Sequence, residues 1–237
     1  TTGADGTVTA AGLQKGTYYA KEIPTDDPFW EFDTAVKSVT VAVGQTAEVT
    51  FTNTHYGRIE FRKTTNTGNQ LGGWTFRVRD SEGNSYGDFT TDDNGYACTE
   101  NLPLGRYTVV ELLTEDNYWL TELGFHDVTV KAGETTVDTW LNKEQGLAWF
   151  YKKTNTGQSV EGWHITVYSD EACTQKVGTL ITNADGKAGY YLDPGTYWAK
   201  ETGDEHGRFE DEYWMVDETV QRFEIKPHED VAITFTN

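Results

Sequence analysis

Two cysteines in 237 residues, Cys98 and Cys173, cannot build a disulfide framework. Neither stands in a CxxC pair or a Cys/His cluster of the kind that holds zinc. No apolar run is long enough to span a bilayer, and the first residues lack a signal peptide's charged start and apolar stretch. The stretch therefore reads as a soluble fragment. Basic residues are few: 19 Lys and Arg stand against 38 Asp and Glu, and the net charge of −19 repels nucleic acid and anionic membranes alike. Sustained helical periodicity is missing, as are GxSxG, HExxH and phosphate-cradling glycine loops. The five histidines (His55, His126, His164, His206 and His228) form no i,i+4 pair. No metal, cofactor or turnover chemistry is expected.

What the chain has is repetition. The stretches at 5–22, 94–111 and 185–201 ("DGTVTAAGLQKGTYYAKE", "NGYACTENLPLGRYTVVE" and "DGKAGYYLDPGTYWAKE") align with little adjustment. So do those at 39–53, 128–142 and 223–237, each ending in asparagine. Units of this kind, built from short alternating runs with Asp-Gly or Asn-Gly turns, indicate an all-β sandwich in tandem copies. The expected boundaries are 1–54 for an incomplete C-terminal half of a unit, 55–143 for a second unit and 144–237 for a third. The acidic stretch "TGDEHGRFEDEY" at 202–213 reads as an expanded loop, and a cation there is an open question.

Three polar residues recur at the parity of the apolar ones. In "GRIEFRK", Ile59, Phe61 and Lys63 share a face; in "GLAWFYK", Ala148, Phe150 and Lys152 do, with Lys153 the alternative. Glu111 follows Tyr107 and Val109, Glu201 follows Tyr197 and Ala199, and Glu22 follows Tyr18 and Ala20. Asn53, Asn142 and Asn237 end the last strand of each copy. Burying an ammonium, a carboxylate and an amide together is costly unless they pair or neutralise. Desolvation drives the lysine toward a free amine and the glutamate toward a neutral acid. An amine is a nucleophile, and an acid can donate to an amide oxygen. Lys, Glu and Asn in contact are thus equipped to form a Lys–Asn amide and release ammonia. A buried, unreacted network is the alternative.

A "KTNTG"-type end to the first strand, a "GxYxxxE" strand and a last strand ending "FTN" resemble the Cna B-type, or SpaA-like prealbumin-fold, domains of Gram-positive pilins and surface adhesins. The resemblance spans essentially the whole chain. It implies isopeptide bonds Lys63–Asn142 and Lys152–Asn237, assisted by Glu111 and Glu201. The first copy keeps Glu22 and Asn53 without a matching lysine, which makes Asn53 a latent acceptor. The implied setting is secreted, at the cell surface or wall, in a stalk or fibre whose partners are neighbouring domains or subunits. A host matrix protein or glycan is a further possible partner. The alternative function is a ligand-binding adhesin module that uses exposed tryptophans. Recurrence of Trp30, Trp119 and Trp214, and of Trp74 and Trp163, favours packing instead.

Overall fold

The computed structural model describes residues 1–113 and 115–237. It is all-β, with one 3₁₀ turn at Arg208–Glu210 and no α-helix among the described residues. The first copy holds β1 (Gly16–Ala20), β2 (Trp30–Glu31), β3 (Lys37–Val41) and β4 (Thr54–His55). The second holds β5 (Arg58–Thr65), β6 (Thr75–Asp80), β7 (Ser85–Thr90), β8 (Tyr96–Cys98), β9 (Gly105–Glu111), β10 (Trp119–Leu120), β11 (His126–Val130) and β12 (Thr135–Glu144). The third holds β13 (Gly146–Lys153), β14 (Trp163–Tyr168), β15 (Lys176–Ile181), β16 (Lys187–Leu192), β17 (Gly195–Asp204), β18 (Gln221–Ile225) and β19 (Asp230–Thr236).

Two sheets face each other in the second copy, ordered β10-β12-β5-β8 and β11-β9-β6-β7. The third repeats them as β16-β13-β19 and β15-β14-β17-β18. Alternation explains the strands. Ile59 and Phe61 are fully buried on one face of β5, while Arg62 on the other face is exposed. Phe61 stacks on Phe76 of the opposite sheet at 5.0 Å, and Trp140 closes the same core.

The first and last strands of each complete copy lie side by side and parallel. Lys63 pairs with Trp140 in the β5–β12 register, and Lys152 with Phe235 in β13–β19. The Asn-Gly and Asp-Gly turns are hairpin chemistry. Asp92 accepts from the N–H of Asn94 and Tyr96, and Asn183 from those of Asp185 and Lys187. Gly95 and Gly186 adopt positive φ there, and a Cβ on either would lie 2.6 or 2.7 Å from the carbonyl oxygen of Lys63 or Lys152.

Two expectations need correction. Residues 45–53, which end at Asn53, form no strand, and Glu22 lies beyond the end of β1. In the complete copies these positions are ordered by strands equivalent to β5 and β6, and residues 1–56 contain neither. No residue of 1–56 is buried, whereas Val8, Tyr19, Ile23 and Val43 are well exposed. Nor is 202–213 wholly a loop, because β17 runs on through Thr202, Gly203 and Asp204 after a bulge. There Asp204 is filled by the N–H groups of His206 and Phe209 and by Arg208, whose guanidinium lies over Trp163.

Candidate functional site

Parity decides which side chains reach the core. Lys63 and Asn142 descend from adjacent strands of one sheet, and Glu111 rises from β9 of the other. Facing sheets lie about 10 Å apart, a gap that a lysine and a glutamate together can bridge. Lys63 Nζ donates to Glu111 Oε1 at 2.6 Å, and both side chains are shut off from solvent. Asn142 Nδ2 donates to the same oxygen at 3.1 Å. One carboxylate oxygen therefore touches both the amine and the amide nitrogen.

The third copy repeats the lysine–glutamate pair: Lys152 Nζ donates to Glu201 Oε1 with neither side chain exposed. Asn237 lies beside Glu201 and works against the rise in its pKa, but its Nδ2 is buried without a hydrogen-bond partner among the described residues. Lys153, the alternative, is exposed on the other face. The first copy holds the acid–amide half alone: Asn53 Nδ2 donates to Glu22 Oε1 at 2.7 Å.

Burial lowers the pKa of Lys63 and of Lys152, although each has a glutamate partner that works the other way. It raises Glu201 against the opposing pull of Lys152. The second oxygens of Glu22, Glu111 and Glu201 are buried without a hydrogen-bond partner, a costly state for an ionised carboxylate.

Tryptophan supplies the lid. Lys63 Nζ lies 4.5 Å from the Trp74 ring and Lys152 Nζ 4.1 Å from that of Trp163. Each indole donates to a carbonyl four residues back, Gln70 or Ser159, which turns the ring over the amine. Trp119 and Trp214 pack on these rings in turn, at 4.8 and 5.6 Å. All eight tryptophans are buried or half-buried.

The glutamate does not sit where a donor to the amide oxygen would. That oxygen is taken by a backbone N–H: Glu122 donates to Asn142 Oδ1 at 3.0 Å, Asp217 to Asn237 at 2.7 Å and Asp33 to Asn53 at 2.9 Å. Sequence reasoning missed these acids. The signal was a Trp-x-x-Asp/Glu pattern, in "WEFD", "WLTE" and "WMVD", with the acid twenty residues before the asparagine each time. It also missed His126, which bonds Asp138 at 2.7 Å and Glu122 at 3.1 Å and stacks on Trp140 at 3.9 Å.

A family model described as SpaA, prealbumin-like fold domain, matches residues 57–144 and again 149–237. No curated protein matches the chain. Solved structures with detectable similarity include the Bacillus anthracis TIE protein, at 23% identity and TM-score 0.40, covering 86% of this chain and 38% of that one. A streptococcal ancillary pilin follows at 19% and 0.37, covering 94% and 76%. The shaft pilin SpaA of Lactobacillus rhamnosus GG is 15% identical, with TM-score 0.32 and coverages of 76% and 97%. The chain thus spans well under half the length of the first of these and most of the other two.

Proposed function

Because the chain belongs to the SpaA prealbumin-like fold domain family, we propose that it is a load-bearing stretch of a Gram-positive surface fibre or adhesin stalk. Its units, near the boundaries 55–143 and 144–237, are each locked by an amide between lysine and asparagine. The observation that carries this reading is the shared oxygen of Glu111, within bonding distance of both the Lys63 amine and the Asn142 amide nitrogen. The setting is the cell surface, and the partners are neighbouring units or subunits of the same fibre. The protein acts as a structure, and its chemistry is a single event per unit.

The bond forms in balanced steps. Lys63 gives a proton to Glu111 and attacks Asn142 Cγ as a free amine. The carbonyl pair moves to Oδ1. Glu111 then passes a proton to Nδ2 while taking one from Nζ. The Cγ–Nδ2 bond breaks, and the ammonia released takes the remaining proton from Glu111 and leaves as ammonium. Trp74 keeps water from the amine throughout. Lys152, Glu201 and Asn237 follow the same course.

Linking residues 63 and 142 closes a loop of 79 positions (142 − 63 = 79). By analogy with disulfides, that adds roughly 4–5 kcal/mol of stability. The test is a protease digest of the denatured protein. A branched peptide joining Lys63 to Asn142 is the expected product, and Glu111→Ala should abolish it while leaving the Lys152–Asn237 peptide intact. Persistence of the first branch in Glu111→Ala would remove the glutamate from the mechanism.

A further inference from the structure

In the first and second copies the asparagine amide is held by two groups on opposite sides: the glutamate accepts from the nitrogen, and the N–H of the Trp-x-x-Asp/Glu acid donates to the oxygen. In the third copy the N–H of Asp217 donates to the oxygen in the same way, while Asn237 Nδ2 is buried with no hydrogen-bond partner among the described residues. A backbone N–H can only donate, so the amide atom against it is the oxygen, and Nδ2 is left to the glutamate. The acid's side chain completes a clasp. Glu122 Oε2 accepts from the N–H of Leu141 at 3.2 Å, and Asp217 Oδ2 from that of Thr236 at 3.4 Å. Each of those residues immediately precedes its asparagine. The Asp33 carboxyl, held low chiefly by Lys37, has the Thr52 N–H among its donors at the equivalent place. The backbone of the acid thus grips the asparagine side chain, and the side chain of the acid grips the asparagine strand.

Lysine attack turns the amide oxygen into an oxyanion, and a fixed, part-buried donor aimed at that oxygen strengthens as the charge develops. Resting on the bond-forming reading above, we propose that the N–H of Glu122 is the oxyanion donor of the Lys63–Asn142 reaction, and the N–H of Asp217 that of Lys152–Asn237. The carboxylates of the two acids are positioning groups that hold the donor in line. Trp119 and Trp214 set the placement, because each packs on the tryptophan that covers the lysine and stands three residues before the acid.

Cell-free synthesis of the whole chain, quenched in denaturant at intervals and digested, follows both branched peptides in the same molecules. Replacing the 121–122 peptide bond by an ester removes the Glu122 N–H and keeps its side chain. The ester should slow the Lys63–Asn142 bond about a hundred- to a thousandfold, while the third copy keeps its pace as an internal clock. The reciprocal ester at Asp217 should slow Lys152–Asn237 alone. Glu122→Ala keeps the N–H but loses the clasp and should slow the second-copy bond. Glu122→Asp should restore it, since Asp217 does the same work in the third. Equal rates for the two bonds in both ester chains would overturn the oxyanion role and leave the bonds standing. Absence of either branch from the unmodified chain would instead overturn the bond-forming reading itself.

Discussion

A lysine near the end of a strand, on its inner face, can pair, lose its proton or be consumed. The surroundings of Lys63 favour the last two over a lasting ion pair. Its carboxylate partner is as buried as it is, and a buried pair returns little net stability once both ions are desolvated. The amide beside them offers a neutral product. His126 makes a separate, testable contribution to the second copy. Burial works to lower its pKa, but its bonds to Asp138 and Glu122 outweigh that and raise it. A raised folded value means stabilisation that is full below the ordinary histidine value of about 6.5 and lost as pH rises through the folded value. Denaturation of wild type and His126→Gln at acid and alkaline pH should show the larger penalty at acid pH, and equal penalties would rule the network out. The inward lysine, glutamate and asparagine were legible because a two-residue period fixes which face each occupies. The main-chain donor to the amide oxygen was not, because a backbone N–H leaves no mark of its own and only the Trp-x-x-Asp/Glu pattern around it could be read. His126 was missed because its partners, Glu122 and Asp138, lie in the irregular stretch after β10 and on β12 of the facing sheet, and the third copy has Gln221 at the equivalent strand start.

Strands and their partners decide the rest. Turn chemistry and alternation were enough to call for sandwiches, since each Asn-Gly or Asp-Gly turn and each apolar face is a local property. The failure lies in residues 45–53, whose sequence reads as a strand and whose structure has none. Strand order there depends on a parallel neighbour like β5, which no local pattern supplies. Glu22 and Asn53 are nevertheless in contact, and the Asp33 N–H already holds the amide oxygen. A peptide copying residues 57–68, with its lysine, should therefore dock beside residues 45–53 and become covalently joined to Asn53. A denaturing gel and mass spectrum after mixing check this, with Asn53→Ala as control. An adduct that survives Asn53→Ala, or none at all with the native chain, would show that the first copy is not an acceptor.

Along the whole molecule, the chain enters the second copy on β5 and leaves it on β12, and Gln145 alone separates β12 from β13. Tyr118 donates across that joint to Asp230 at 2.6 Å, and Trp119 pairs with Glu144. Tension applied at the two ends would run up β5 to Lys63, cross to Asn142 and pass on, leaving the strands between them unloaded. Single-molecule pulling should find no full unfolding step in the linked protein. Lys63→Ala should add one step of roughly 280 Å, from the 79 positions released at about 3.5 Å each. A step of that length in the unmodified protein would mean that the second copy is not closed. The most direct measurement is the intact mass of the denatured, full-length chain. Two linked copies predict a mass two ammonia molecules below that of the sequence, and a mass equal to the sequence would contradict the account.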